Sequence, residues 1–360
     1  MNPINPNFKP SYVQMDSKTT RQYYLSGNAD VSTYPDKKLP ILLLFPGGSE
    51  VPYNEDGKGI LNFTELYKVN ALVVTFLGQS SKNTFTFINA FPWIISPPKD
   101  DVLMVQKVLD KLPDTIQGVS IHRAQIFASG KSNGLGFCNY LACYHPEIGI
   151  KAIAGCSGAF FGTQSVDNFG RTPNENIALP ASPFPILEMH GTADSTMPIQ
   201  GENFVNTKAG KSHLEYWLRW DPTVQYHSVD DTVTSNTFTA NIYNYWNRWA
   251  KVNATDTSNP KKSKLNSENV YSWQSSQGPP TVFIEVLNGQ HNWFGHTNSG
   301  SGSSSAASLK IDATVLVCHF FEIAYPYYIP TVDTPVTNIP TYSTSTSISL
   351  LKLKDSGICR

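Results

Sequence analysis

Short apolar runs bounded by turn-forming residues recur along the chain. Residues 40–46 (PILLLFP) lead into Gly47 and Gly48, and residues 71–77 (ALVVTFL) form a second run. Runs of this length, rich in branched side chains, are typical of strands buried on both faces of a parallel sheet. The same pattern predicts further strands at 124–128, 152–155, 186–189 and 281–287.

Helical spacing alternates with these strands. Residues 100–112 begin with two aspartates and carry their apolar side chains three or four positions apart, which predicts an amphipathic helix. Further helices are predicted at 60–69, 134–144 and 313–324. The βαβα alternation predicts an α/β protein with a doubly wound, mostly parallel sheet and helices on both faces.

The pattern also divides the chain into segments. The main domain is expected at 39–328, after an N-terminal extension or edge elements at 1–38. Between 201 and 275 the strand pattern fades, which we interpret as an insertion at about 202–241 and a late helix, with helix-like aromatic pieces at 216–220 and 243–252. Ten of the twenty residues from 330 to 349 are Ser or Thr, so 329–360 is expected to be an extended or disordered tail.

Composition narrows the possible partners. The 360 residues are 40% hydrophobic and 12% aromatic, enough for a sizeable core. Lys and Arg number 27 against 28 Asp and Glu, so no basic surface is expected for nucleic acid or anionic membranes. No run of eighteen apolar residues occurs, and the polar first 38 residues do not resemble a signal peptide. We therefore expect neither nucleic acid nor membrane as a partner.

Cysteine usage gives no sign of a metal site. The five cysteines are odd in number, show no CxxC spacing and form no Cys/His cluster; they are Cys138, Cys143, Cys156, Cys318 and Cys359. We expect no metal and no cofactor. At most two disulfides are possible, and buried reduced thiols are the alternative.

A G-x-S-x-G pentapeptide stands between a predicted strand and a predicted helix. It comprises residues 130–134, with Ser132 at its centre. A strand that turns sharply into a helix holds the serine in a strained conformation, and side chains at either flanking glycine would collide. Ser132 is thus a candidate nucleophile. The alternative is an ordinary Gly-rich turn with a surface serine.

Serine needs a base and an orienting acid, and both candidates follow predicted strands. Asp194 lies just after the strand at 186–189, and His291 lies just after the strand at 281–287. The carboxyl ends of parallel strands meet at one sheet edge, so the three loops are expected to converge. His190 is expected against the sheet and His296 in a Gly/Ser-rich loop, which makes both poorer bases.

An oxyanion hole completes such a site. One donor is the backbone N–H of Asn133, at a helix N-terminus, and Gly48 is the second candidate. The alternative for Gly47-Gly48 is an ordinary tight turn.

Several sequence blocks, taken together, resemble the fungal-type feruloyl esterases of carbohydrate esterase family 1, which are similar to polyhydroxybutyrate depolymerases. The blocks, in chain order, are DDVLMVQKVLD (100–110), GKSNGLGF (130–137), YLACYHPE (140–147), SGAFF (157–161), ILEMHGTADSTMPIQG (186–201), RWAKVN (248–253), GQHNWFG (289–295) and DATVLVCHFF (312–321). The resemblance implies an α/β-hydrolase fold, a catalytic triad of Ser132, Asp194 and His291, and a secreted enzyme that acts on ester-linked plant polysaccharide. Here Leu135 stands where relatives carry a second glycine after SNG.

Aromatic residues are candidates for an acyl-binding cleft. They are Phe91, Trp93, Phe160, Phe161 and Trp293, with core packing as the alternative for each. A hydroxycinnamoyl ester, free or linked to polysaccharide, is the expected substrate. A polyhydroxybutyrate depolymerase or acetylxylan esterase remains open, as does a catalytically idle hydrolase fold that binds carbohydrate or a surface.

Overall fold

The computed structural model describes residues 4, 9–32, 34–47, 69–78, 101–158, 184–194, 261–265, 268–273, 281–295 and 311–321. Several predictions lie outside these residues: the helix at 60–69, the aromatic pieces at 216–220 and 243–252, the insertion at 202–241 and the tail at 329–360.

Eleven strands and three α-helices make up the described part of the chain. The strands are β1 (Pro10–Gln14), β2 (Thr20–Gly27), β3 (Lys38–Phe45), β4 (Leu72–Phe76), β5 (Thr115–Ile116), β6 (Val119–Lys131), β7 (Ile150–Cys156), β8 (Ile186–Gly191), β9 (Lys261–Leu265), β10 (Glu268–Trp273) and β11 (Thr281–Val286). The helices are α1 (Asp101–Lys111), α2 (Asn133–Tyr144) and α3 (Ala313–Phe320), and a short 3-10 helix spans Pro146–Ile148.

All the strands belong to one mixed sheet. Its order is β1-β2-β4-β3-β6-β7-β8-β11-β10-β9, with β5 paired to β6. Six adjacent strands run parallel to one another: β4, β3, β6, β7, β8 and β11. On one side β2 pairs antiparallel with β4 and with β1, and on the other side β10 pairs antiparallel with β11 and with β9. The chain winds outward in one direction from β3 and in the other from β6. Their adjacent carboxyl ends form the switch point where such sheets place their ligand sites.

Two cores cover the two faces of this sheet. Along β3, Ile41 and Leu43 pack into one core with α1 and α2, whereas Leu42 and Leu44 pack into the other with α3. Both faces of the sheet are therefore shielded from water at β3, and seven of the eight β3 residues are buried. This burial explains why the central strands are continuously apolar. The predicted α/β class, with helices on both faces, is confirmed.

Five strands were not predicted individually from the sequence: β1, β2, β5, β9 and β10. Strands β1 and β2 occupy the segment expected to hold an extension or edge elements, and β9 and β10 fall in 201–275, where no strand was predicted. The β9 and β10 sequences, KKSKL and ENVYSW, are rich in polar residues, as is common in strands near a sheet edge. Strand β6 also begins at Val119 rather than at Ala124, and α3 ends at Phe320 rather than at residue 324.

Three of the cysteines are buried free thiols: Cys138, Cys156 and Cys318. Burial raises the thiol pKa of Cys138 and of Cys156 well above the ordinary value, which keeps both protonated. Among the described helices, none combines the length and apolar character that crossing a membrane requires.

Candidate active site

Ser132 occupies a strained turn between β6 and α2. Its backbone has φ 51° and ψ −121°, a conformation that side-chain-bearing residues rarely adopt. The strain is held on both sides, because Ser132 N donates to Cys156 O at 3.0 Å and Gly136 N donates to Ser132 O at 3.0 Å. The serine is thus fixed at the carboxyl end of β6, as predicted from the pentapeptide.

The two flanking glycines make this turn possible. A Cβ on Gly134 would lie 1.9 Å from Phe45 O, and a Cβ on Gly130 would lie 2.7 Å from Leu135 N. Both contacts involve backbone atoms that have little freedom to move, so neither position accepts a side chain. Leu135 is accommodated by a third glycine, since a Cβ on Gly158 would lie 2.5 Å from the Leu135 side chain.

Asp194 and His291 form a buried pair. His291 Nδ1 lies 2.8 Å from Asp194 Oδ2, and the Asp194 side chain has no exposed surface. A carboxylate in this position accepts a hydrogen bond from Nδ1–H and leaves Nε2 as the basic nitrogen of the ring. The two side chains are in contact, and their assignment as acid and base stays a prediction.

Hydrogen bonds between two loops hold this pair in place. Thr192 N donates to Val286 O at 3.0 Å, and Ala193 N donates to Gly289 O at 2.8 Å. Asn288 N donates to Thr192 Oγ1 at 2.7 Å. The loops after β8 and β11 therefore behave as one unit, and the geometry of the acid and the base is set by backbone atoms.

The three candidate residues share one edge of the sheet. Ser132 follows β6, Asp194 follows β8 and His291 follows β11, and these strands run parallel. Only β7 lies between β6 and β8. A direct hydrogen bond from Ser132 Oγ to His291 stays a prediction.

A second histidine contacts the acid. His190 Nε2 approaches Asp194 Oδ2 to 3.4 Å, and His190 Nδ1 lies 3.1 Å from Glu188 Oε1; both side chains are fully buried. His190 lies against the sheet, as expected from the sequence, but its contact with Asp194 was not predicted. Glu188 and His190 are two residues apart on an otherwise apolar strand, a spacing that indicates a buried polar pair on one face of the strand but does not identify Asp194 as its neighbour.

The remaining candidates divide into three groups. Asn133 is buried at the first position of α2, where the helix dipole is positive, so its predicted role is compatible with its place. Gly48, Trp93 and Phe160 lie outside the described residues, as do Phe91 and Phe161. Assigning Trp293 to substrate binding was wrong: its side chain is fully buried in the core beside α3, and its Nε1 donates to Thr314 Oγ1 at 2.9 Å.

The described residues contain no cluster of potential metal ligands. Within the described ranges, no group of three or more histidine, cysteine, aspartate or glutamate side chains is arranged to hold a metal ion.

The strand order, the serine turn at the switch point, the acid after β8 and the histidine after β11 together define an α/β-hydrolase fold. No protein-family model matches the chain, and no curated protein matches it.

Solved structures with a similar arrangement include an acetyl xylan esterase from Aspergillus awamori, at 14% identity and a TM-score of 0.44, covering 79% of this chain and 94% of that one. Esterase 2 of Thermogutta terrifontis with bound propionate shows 14% identity and a TM-score of 0.35, covering 54% and 75%. MGS-M1, an alpha/beta hydrolase from a deep-sea metagenome library, shows 14% identity and a TM-score of 0.35, covering 53% and 72%. Likenesses of this size say nothing about the substrate of the present chain.

Proposed function

We propose that this protein is a serine esterase that hydrolyses carboxylic esters through a covalent acyl-enzyme. The observation that carries the proposal is the buried Asp194–His291 pair at the sheet edge where the strained turn presents Ser132. A nucleophile at a strained turn, a histidine and an orienting carboxylate are the parts that acyl transfer needs.

In the first half of the reaction, His291 Nε2 takes the Ser132 hydroxyl proton as Ser132 Oγ attacks the ester carbonyl carbon. The resulting imidazolium is stabilised by Asp194, which stays ionised and accepts a hydrogen bond from Nδ1–H. His291 then gives the Nε2 proton to the departing alkoxide, and the acyl group remains on Ser132. In the second half, water attacks the acyl carbon while His291 Nε2 accepts its proton. The bond from the acyl carbon to Ser132 Oγ then breaks, His291 returns the proton to Ser132 Oγ, and the carboxylic acid leaves.

Negative charge develops on the carbonyl oxygen in both halves. The backbone N–H of Asn133 is the first donor that we assign to this oxygen, because it lies beside Ser132 at the positive end of α2. Gly48, which follows the end of β3 by three residues in the sequence, is the second donor that we assign, since β3 and β6 are neighbours at the switch point.

For the acyl group we propose a hydroxycinnamoyl ester such as a feruloyl ester, in free or polysaccharide-linked form. The support is the resemblance of the sequence blocks around the three site residues to feruloyl esterases. An aromatic acyl group requires an apolar cleft, and Trp93 and Phe160 are the residues that we assign to it. With Trp293 in the core, the cleft has one candidate fewer.

The nucleophile is tested by replacing Ser132 with Ala and measuring hydrolysis of a chromogenic acetate ester. We expect Ser132→Ala and His291→Ala each to remove nearly all activity and the double variant to be scarcely worse, because either loss disables the same step. Ser129→Ala is a matched control: Ser129 lies on β6, three residues before Ser132, and is fully buried, and its hydroxyl has no hydrogen-bond partner among the described residues. If Ser132→Ala retains a tenth or more of the activity, the chemistry lies elsewhere.

The substrate is tested with a panel of methyl ferulate, methyl p-coumarate, a methyl 3-hydroxybutyrate oligomer and acetylated xylan. We expect the first two to give the higher kcat/KM, because burial of an aromatic ring contributes about 25 cal/mol per Å² and an acetyl group gains little from the same cleft. Equal or better rates on the last two would replace the feruloyl assignment with an acetyl or polyester one. A folded protein inactive on every ester would favour the idle binding fold.

A further inference from the structure

Three buried side chains, Glu188, His190 and the proposed acid Asp194, are linked by close contacts. Glu188 Oε1 lies 3.1 Å from His190 Nδ1, and His190 Nε2 lies 3.4 Å from Asp194 Oδ2. The same Asp194 Oδ2 is the atom that contacts His291 Nδ1 at 2.8 Å. All three side chains, Glu188, His190 and Asp194, are fully shielded from solvent.

The hydrogens on the His190 ring determine which contacts the ring can make. Both of its ring nitrogens face carboxylate oxygens, and a neutral ring has only one N–H to offer. Two forms of the ring place a hydrogen between Nε2 and Asp194 Oδ2, which lie 3.4 Å apart: an imidazolium that donates from both nitrogens, and a neutral ring whose Nδ1 accepts a hydrogen bond from a protonated Glu188. In these two forms Glu188 and His190 together carry no net charge.

We propose that Glu188 and His190 form a second acid–histidine pair that positions Asp194 for catalysis. They act through Asp194 rather than on the substrate, so they are positioning residues. This inference rests on the proposed function, in which Asp194 holds and stabilises His291.

The physical need for such a pair comes from burial. A carboxylate without contact with water loses the solvation that keeps it ionised and oriented. The Nε2 hydrogen of His190 supplies a second donor to the Asp194 oxygen that His291 already uses. Asp194 therefore stays ionised at a fixed distance from His291 while the imidazolium forms.

Glu188 also links the acid to the serine turn. Its Oε1 accepts a hydrogen bond from Gly158 N at 3.0 Å, in the loop after β7. Gly158 in turn packs against the side chain of Leu135 in the first turn of α2. Glu188 Oε1 thus contacts both the loop after β7, which packs against the first turn of α2, and the ring of His190, which contacts Asp194.

Two substitutions at position 190 separate the contacts of the ring. The amide nitrogen of Gln reaches the place of Nε2, so His190→Gln keeps a donor for Asp194 and gives up the Nδ1 contact with Glu188. The amide nitrogen of Asn reaches only the place of Nδ1, so His190→Asn keeps a donor for Glu188 and removes the one for Asp194. Both variants replace the ring with a neutral amide.

We expect His190→Asn to lower kcat about tenfold or more with KM nearly unchanged, which corresponds to losing one charge-assisted hydrogen bond in the transition state. His190→Gln should keep most of the wild-type kcat. The low-field proton resonance of the Asp194–His291 hydrogen bond provides a readout that needs no substrate. It should be present in the wild type and in His190→Gln, and shifted or lost in His190→Asn.

A near-isosteric substitution gives an independent test if His190→Asn does not fold. In Glu188→Gln, the amide oxygen accepts from Gly158 N and forces His190 to donate from Nδ1, which turns the Nε2 lone pair toward Asp194. We expect kcat to fall in Glu188→Gln as in His190→Asn, while its melting temperature stays near that of the wild type.

The inference is overturned if His190→Asn matches His190→Gln in both kcat and the low-field resonance, or if Glu188→Gln retains the wild-type values of both. It is also overturned if both position-190 variants lose kcat equally and in proportion to lost thermal stability. Failure of the proposed function has a different signature, which is activity retained in Ser132→Ala. The resonance comparison still decides the role of His190 in that case.

Discussion

Backbone strain is concentrated where the site residues lie. Among the described residues other than glycine, five have a positive φ, and three of these, Ser132, Ser157 and Asn288, directly follow or lie just past the ends of β6, β7 and β11. Such conformations cost about 1–3 kcal/mol each and persist only where surrounding contacts hold them. At this edge such contacts come from neighbouring strands, as in the hydrogen bond from Ser157 N to Met189 O of β8 at 2.9 Å.

The serine turn predicts a large difference between two glycine substitutions. Gly134→Ala should destabilise the fold by more than about 4 kcal/mol, because its Cβ would meet Phe45 O at 1.9 Å. Gly149→Ala, where φ is 78° and nothing lies within 4 Å of the new Cβ, should cost only about 1 kcal/mol. Urea unfolding measures both. Equal losses would mean that contact with β3 does not constrain the serine turn.

Placing Trp293 in the core gives a second prediction at the residue scale. Trp293→Phe should lower the free energy of unfolding by about 1–3 kcal/mol, because it shrinks a buried side chain and leaves Thr314 without its indole donor. The ratio of kcat/KM for methyl ferulate to that for a methyl acetate ester should not change. A changed ratio would return Trp293 to the acyl cleft. Trp93→Phe is the matched substitution at the tryptophan that we do assign there.

At the scale of elements, how well the sequence predicts the fold depends on burial. The central strands and α2 are mostly apolar where they are buried, and their predicted positions differ from the observed ones by a few residues at most, except at the start of β6. Strands β9 and β10 mix Lys, Glu, Ser and Asn with apolar residues, because they lie at the sheet margin, and their sequences therefore carry no clear strand period.

The candidate site follows the same rule. Ser132, Asp194 and His291 could be predicted because each follows a recognisable buried strand. The contact between His190 and Asp194 depends on how the β8 loop bends back over its own strand, which spacing alone does not define. Trp293 was misassigned because an aromatic side chain beside a catalytic histidine has the same sequence pattern whether it faces a cleft or the core.

One buried ion pair ties the start of α1 to the sheet. Arg21 on β2 donates through Nη2 to Asp101 Oδ1 at 2.5 Å and to Leu77 O at 2.6 Å, and both charged side chains are almost fully buried. Because α1 lies far along the chain from β2, this pair joins elements that have no local connection.

A double-mutant cycle measures that connection. Arg21→Met and Asp101→Leu should each cost about 3–5 kcal/mol, since each leaves a buried charge without its partner. The double variant should cost clearly less than the sum of the two, because it leaves no charge unpaired. Chemical unfolding of the four proteins provides the values. Additive losses would show that the two side chains stabilise the fold independently.

At the scale of the whole molecule, each face of the sheet has its own core, and α3 covers the face opposite α1 and α2. Asp312 caps the N-terminus of α3, where its carboxylate accepts a hydrogen bond from Val315 N at 3.0 Å. Ala313 N, in the first residue of the helix, donates to Phe294 O at 3.0 Å. The loop that carries His291 therefore continues directly into the contact that anchors α3. Stability of the α3 face and geometry of the site are connected through this loop.

His319, near the end of α3, makes the stability of that face depend on pH. Burial lowers the pKa of its imidazole from 6.5 to about 4, so the folded protein keeps it neutral. Between these two values the unfolded chain binds a proton that the folded chain does not, and folding stability falls as pH falls from about 6.5 to about 4. Since one pKa unit corresponds to about 1.4 kcal/mol and the ring keeps some contact with solvent, we expect the free energy of unfolding to fall by about 1–3 kcal/mol over this range.

His319→Gln should remove this part of the pH dependence of the unfolding free energy and leave other titrations unchanged. Unfolding free energies of the two proteins at pH 7, 5.5 and 4 provide the measurement, and parallel curves would place His319 in contact with water.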